Sequence, residues 1–206
     1  MDWLFVGLGN PGPEYSGTRH NVGFEALDGF AKLSGDKSRF SGRPGKMIEL
    51  SVNRLKLGML KPATFMNLSG DALLACRRRP DEIEHIVVFH DDLDFELGRV
   101  AIKSGGGAGG HKGLKSIISA IGPGFTRIRM GIGKPMDGTD PADYVLRRFA
   151  KGERDLVLQM VDRACDAAGK ILCEGVLMAM NEINRCDKNP CSAGHAGPEG
   201  PKGGGK

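Results

Sequence analysis

Three small polar clusters carry side chains suited to activating a water: Asn10 with His20, Met66 with Asn67, and His90 with Asp91. All three are expected at strand ends, where the ligand crevices of open α/β sheets lie. A carboxylate that accepts the Nδ1 proton of a histidine fixes its tautomer and leaves Nε2 to take a proton from water. His20 and Asp91 are suited to that pairing across neighbouring strands. The amides of Asn10 and Asn67 would supply neutral N–H donors to an oxyanion or hold a substrate carbonyl. No serine or cysteine stands in a nucleophile-elbow pattern, which leaves water as the economical nucleophile. A lone histidine or asparagine after a strand is ordinarily a turn residue. Three clusters at one sheet edge are harder to dismiss.

His90-Asp91-Asp92 also offers metal-ligand types. Against a metal stand the lack of a His-x-x-x-His or second acidic cluster and the alternation of consecutive strand residues between faces. No metal or cofactor is therefore expected. The opening Gly7-Leu8-Gly9-Asn10-Pro11-Gly12 matches a dinucleotide-binding fingerprint by letter. That fingerprint must run from a strand straight into a helix whose N–H groups face a pyrophosphate. Pro11 and Pro13 each remove a donor and bias Asn10 and Gly12 away from the α region. An oxidoreductase reading also needs an acidic residue to hold a ribose, and Glu49 stands at about twice the usual spacing.

The elements that must position these groups follow from periodicity. Residues 3–8 read as a buried strand ending in a rigid loop, and a helix starts just after His20, with Val22, Leu27, Phe30, Ala31 and Leu33 at helical spacing. Residues 47–52 and 55–60 read as short strands about a turn near Asn53, and residues 61–70 as a loop leading to a helix over 72–78. A second buried strand covers 83–89 and ends directly at His90, and another lies near 100–103. Residues 111–121 read as a helix, 126–132 as a strand with Arg127 and Arg129 on one face, and 153–184 as one long helix. Strands and helices interleave, which predicts a single α/β domain with a mixed, mostly parallel twisted sheet flanked by helices on both faces.

The glycine-rich residues 105–110 read either as a phosphate cradle at a helix N-terminus or as a mobile lid. Lys103 and Arg129 flank that run and could clamp a phosphate by charge and hydrogen bonds. Arg77-Arg78-Arg79 is a denser basic group that alone reads as a solvated helix end. A non-catalytic RNA-binding module is the competing reading, though only 6% of the 206 residues are aromatic, few for base-stacking platforms. A net charge of +4 permits a nucleic-acid partner without demanding one. Five cysteines without zinc-ligand spacing read as free thiols in a reducing compartment. With no leader and no apolar run of spanning length, a cytoplasmic protein with no membrane contact is expected. A globular domain over 1–185 gives way to a Gly-, Pro- and Lys-rich tail over 186–206, expected to be disordered.

Several segments together are specific to a family. They are Gly7-Leu8-Gly9-Asn10-Pro11-Gly12 with Tyr15, Thr18-Arg19-His20-Asn21-Val22-Gly23, Thr64-Phe65-Met66-Asn67-Leu68-Ser69-Gly70 after Lys61-Pro62, and His90-Asp91-Asp92-Leu93-Asp94. Gly105-Gly106-Gly107, Gly109-Gly110-His111 and Arg129-Met130-Gly131-Ile132-Gly133 complete the set. In these the chain closely resembles bacterial-type peptidyl-tRNA hydrolases over roughly residues 3–184. The resemblance implies a monomeric, metal-independent α/β enzyme that cleaves the ester joining a peptide to the 3′-terminal ribose of tRNA. It makes His20 the general base, Asp91 its orienting carboxylate and Asn10 a positioning and oxyanion-stabilising amide. It also implies substrate contacts by Tyr15, Met66, Asn67, His111 and Lys112, and a tRNA 5′-phosphate clamp of Lys103 and Arg129. Lys112 departs from the asparagine common in the family. An ammonium only donates, so it keeps a binding role and loses the orienting of a water through an accepted bond.

Overall fold

The structure, a computed structural model, describes residues 1–35, 45, 47–76 and 82–186. The arginines at 77–79, Cys191 and the tail after Cys186 lie outside the described residues. Trp3–Gly7 (β1) is apolar and buried at every position, as a central parallel strand requires. It pairs in parallel with Leu55–Leu60 (β3) on one side and His85–Asp92 (β4) on the other. β4 pairs in parallel with Thr126–Gly131 (β6). Met47–Val52 (β2) and Val100–Ser104 (β5) add antiparallel edges, giving the order β2-β3-β1-β4-β6-β5.

Strand alternation sorts the core into two layers. Phe5, Phe89, Ile128 and Met130 face Val22–Leu33 (α1), Arg154–Glu174 (α5) and Val176–Cys186 (α6). Leu4, Val6, Val88 and Leu60 face Ser69–Leu74 (α2) and Lys112–Ile121 (α3). The expected single α/β domain with helices on both faces is what the chain forms. Asn184 on α6 covers the edge of β5: its amide accepts from Ile102 N–H at 2.8 Å and donates to Ile102 C=O at 2.9 Å. One side chain thus occupies backbone groups that would otherwise template another strand.

Three boundaries differ from the sequence expectation. β4 runs on through Asp92, so His90 and Asp91 are strand residues paired with Arg129 and Met130 rather than the start of a loop. The helix expected over 153–184 is two, because Gly175 adopts φ 83°, a left-handed conformation that ends α5 and lets α6 turn back over β5. α2 ends at Leu74, short of the expected 78. Pro141–Leu146 (α4) was not expected, although Asp140 capping the Ala142 N–H at 2.7 Å and Pro141 at the first helical position are ordinary start signals.

Gly7 and Gly9 serve packing. A Cβ on Gly7 would lie 2.5 Å from Gly23 O in α1, and one on Gly9 would lie 2.7 Å from the Phe24 ring. Gly23 in turn sits so close to the sheet that a Cβ would overlap Phe89 O of β4 and lie 2.7 Å from Leu8 N and O just past β1. After Gly9 the chain enters a short 3₁₀ turn, Pro13–Tyr15, rather than the long helix a dinucleotide fingerprint needs. The close approach seats α1 directly on the sheet and sets the height of the residues that precede it. Gly23→Ala is therefore expected to cost about 1–3 kcal/mol as overpacking. Urea denaturation measures it, and an unchanged midpoint would show that α1 can lift without loss.

Candidate active site

The connection leaving β1 runs to β2 on one side of the sheet and that leaving β4 runs to β5 on the other, so the crevice at the carboxyl ends of β1 and β4 is a topological switch point. A cleft of about 1130 Å³ opens there, lined by Asn10, His20, Met66, Asn67, Asp91 and His111 among others. Among the described residues no serine or cysteine lines it.

His20 lies in a 3₁₀ turn, Arg19–Asn21, ahead of α1 and not at a strand end. Its neighbours hold that turn on both sides. Arg19 is buried, donates to Glu153 at 2.8 and 2.9 Å and to Arg148 C=O at 2.6 Å, and lies over the rings of Tyr144 and Phe149 at 4.6 and 4.9 Å. Asn21 accepts from Asn10 N–H and donates to Asn10 C=O, both at 2.9 Å, which ties the loop after β1 to the turn. Sequence reasoning missed both positioning residues. Their signals were their place within an unbroken polar run, residues 18–21, and within the family-specific segment that spans it.

His20 Nδ1 lies 2.8 Å from Asp91 Oδ1, and both side chains are buried. The same oxygen lies 2.9 Å from His111 Nε2. His111 is the N-cap of α3: its Nδ1 accepts from Gly113 and Leu114 N–H at 3.1 and 3.2 Å. Backbone amides can only donate, so His111 Nδ1 bears no proton and Nε2–H donates to Asp91. One carboxylate oxygen thus accepts from two imidazoles. Burial works to raise the Asp91 pKa. Electrostatic attraction and hydrogen bonding from His20 and His111 outweigh it, holding the carboxyl well below the usual range. His20 then donates from Nδ1, and its Nε2 meets no partner among the described residues.

His111 lines the cleft, yet both its ring nitrogens are engaged within the protein. That engagement also closes the start of α3 as a phosphate cradle, since its first free N–H groups already meet the imidazole. His90 faces the same region. Its Nδ1 donates to Asp91 C=O at 2.7 Å, and burial, with the neighbouring His111, pushes its pKa down to about 3, so it is neutral. As possible metal ligands, His20, Asp91 and His111 bring one atom each within 4.8 Å of one another. Those atoms are joined by hydrogen bonds, and an ion there would have to displace both ring protons.

Asn10 Oδ1 accepts from Met66 N–H at 2.8 Å, so the amide's remaining polar group is its Nδ2 donor. Met66 is buried in a 3₁₀ turn, Met66–Leu68, while Asn67 and Phe65 are exposed on the cleft wall. Tyr15 stands behind that wall, its ring edge-on to Phe65 at 6.3 Å, and does not itself line the cleft. Lys112 is exposed at the first position of α3 and faces the opening. Lys103 and Arg129 share one face of β5–β6 but are not cross-strand partners: Lys103 is opposite Arg127, and Arg129 is opposite Ala101. Arg129 Nε donates to Asp92 at 2.7 Å with its guanidinium 4.0 Å from the Phe95 ring centre.

A switch-point crevice holding a carboxylate between two imidazoles, with an amide donor beside them and no serine or cysteine among the described lining residues, suits a hydrolase on an α/β sheet. Comparison with known proteins makes the family plain. The sequence model of the peptidyl-tRNA hydrolases matches residues 4–191. A peptidyl-tRNA hydrolase of Rubrobacter xylanophilus is 46% identical over 179 residues, 87% of this chain and 98% of its own. One of Citrifermentans bemidjiense is 45% identical over 186 residues, 88% and 97%. The crystal structure of peptidyl-tRNA hydrolase from Acinetobacter baumannii superposes with a TM-score of 0.78 at 34% identity, covering 89% of this chain and 94% of that one. The chain belongs to the peptidyl-tRNA hydrolase family. Among the described residues no helix is long and apolar enough to cross a membrane.

Two measurements test the array around Asp91. His111→Ala removes the acceptor for two amides and is expected to cost about 0.5–2 kcal/mol, as losing an N-cap does. His111→Asn, an ordinary N-cap residue, should recover that part by urea denaturation. If Ala and Asn are equal, His111 does not hold the helix. Because folding depresses the Asp91 pKa, the stability its ionised form contributes is complete above the ordinary carboxylate value of about 3.9 and is lost as pH falls below it. The gap in stability between wild type and Asp91→Asn should be widest near pH 7 and narrow below about pH 4. A gap independent of pH would mean that the ionised form is not what folding favours.

Proposed function

We propose that this chain hydrolyses the ester between a peptide, or an N-blocked aminoacyl group, and the 3′-terminal ribose of tRNA with a water activated by His20. The observation that carries this reading is the double acceptance by Asp91 Oδ1, which leaves His20 Nε2 as the one imidazole nitrogen of that pair with no hydrogen bond among the described residues. His20 Nε2 takes a proton as the water oxygen attacks the ester carbonyl. The tetrahedral oxyanion accepts from Asn10 Nδ2. Collapse breaks the bond to the ribose oxygen, which takes the proton back from His20, giving a free peptide carboxylic acid and tRNA. An activated ester needs little more than a positioned base and oxyanion donors.

Met66, Asn67 and, through Phe65, Tyr15 form the wall for the terminal nucleotide and peptide. Lys112 donates to a peptide carbonyl and does not orient the water. His111 acts on the substrate through Asp91 and α3 rather than by direct contact. Lys103 and Arg129 hold the 5′-phosphate at the tRNA acceptor end. Such a clamp would reject an initiator tRNA whose unpaired 5′ end misplaces the phosphate. A modest net charge of +4 suits a protein that grips one tRNA end and releases it. The chain works as a monomer in the cytoplasm, with no metal or redox cofactor.

Release of labelled peptide from N-acetyl-aminoacyl-tRNA, with EDTA present, tests the chemistry. Wild type is expected to turn over and His20→Ala to fall by about 10²-fold or more. Loss of wild-type turnover in EDTA would point to an ion at the histidine–aspartate cluster. Binding of tRNA without turnover in any condition would leave a binding module.

A further inference from the structure

Arg127 is a buried cation for which the hydrolysis above has no task. It is 2% exposed on β6, directly opposite Lys103 of β5, and stacks over the Phe125 ring at 4.7 Å. Its Nη1 donates to Gly107 C=O and its Nη2 to Gly106 C=O, both short contacts. Burial and the neighbouring Arg129 both press its pKa down, so the two carbonyls are what make the site tolerable for a charge. Each Nη thus spends an N–H on a loop carbonyl, and Nε is buried without an acceptor among the described residues.

What it does is turn the loop. A trans peptide unit points the carbonyl of one residue and the N–H of the next in opposite directions. Two successive carbonyls drawn onto one guanidinium therefore turn the N–H groups of Gly107 and Ala108 away from it, and neither meets an acceptor among the described residues. Gly105, Gly106, Gly109 and Gly110 all have positive φ, a path that side-chain-bearing residues resist. The same loop presses on Lys103: a Cβ on Gly106 would lie 3.0 Å from Lys103 Cε and 3.1 Å from its Nζ. The result is a small donor group beside the cleft, made of one exposed ammonium and two outward amides, all set by a single inward fork.

We propose that Arg127 is a positioning residue for tRNA phosphate: it grips the Gly106 and Gly107 carbonyls and so holds the glycine-rich loop that shapes the anion seat around Lys103. The inference rests on reading Lys103 and Arg129 as the phosphate clamp. A planar fork can hold two neighbouring carbonyls at once, whereas an ammonium is a single point of charge. Arg127→Lys thus keeps the charge and loses the grip.

The test compares kcat and KM on N-acetyl-aminoacyl-tRNA carrying its 5′-phosphate and on the same tRNA dephosphorylated. Arg127→Lys is expected to raise KM about tenfold on the phosphorylated substrate, with kcat within about twofold, and to change KM far less on the dephosphorylated one. Gly106→Ala leaves Arg127 in place and disturbs the loop at the surface, so it keeps the question open to measurement if Arg127→Lys does not fold. It should give the same selective loss. Equal losses on both substrates, or an unchanged KM on the phosphorylated one, would overturn the inference and leave Arg127 a structural residue. Lys103→Ala separates the two levels: if it treats both substrates alike, the clamp itself fails. If it is selective while the other two variants are not, only the role of Arg127 fails.

Discussion

One oxygen of one carboxylate organises this site. Asp91 Oδ1 accepts from His20 at 2.8 Å and from His111 at 2.9 Å, and each donor brings a different part of the chain with it. Through His20 come the turn before α1, the Asn10 loop and the Arg19–Glu153 pair. Through His111 come the start of α3 and the end of the glycine-rich segment. A buried anion with one partner is costly, and two donors make it an energetic anchor that both elements must reach. That requirement couples the chemistry to the fold, because the carboxylate can remain ionised only where both imidazoles arrive.

The arrival depends on how closely backbone can approach backbone. Gly7 and Gly23 let α1 lie against β1 with no side chain between them, and the 3₁₀ turn carrying His20 sits at that level. Glycines that would serve a dinucleotide by touching pyrophosphate serve here by removing bulk between helix and strand. The same economy governs the opposite wall, where His111 is at once a helix cap and a donor to the active carboxylate.

The cleft mouth is electrically mixed rather than uniformly basic. Asp92 meets Arg129 at 2.7 Å and Asp94 meets Lys134 at 2.8 Å, while Lys103 stands exposed and Arg127 is turned inward onto carbonyls. A surface of this kind suits the proposed phosphate seat at one defined place better than a polyanion along its whole length, since each neutralised phosphate would steepen the salt dependence of binding.

The sequence by itself determined the layers and the cast of residues. Apolar runs marked the central strands β1 and β4, helical spacing marked α1 and α3, and Asn10, His20, Asn67 and Asp91 fell near the ends of the apolar segments because polar groups next to a buried strand have only its ends to occupy. It did not carry the partnerships. That His111 joins Asp91, that Arg19 and Asn21 hold the His20 turn, that Arg127 faces Lys103 while Arg129 faces Asp92, and that β4 continues through His90 and Asp91 are all contacts between residues far apart in the chain. Local periodicity reports which face a residue occupies. Register between strands and the height of a helix on a sheet are set by side-chain volumes and hydrogen bonds across the whole core, and those only the tertiary structure decides.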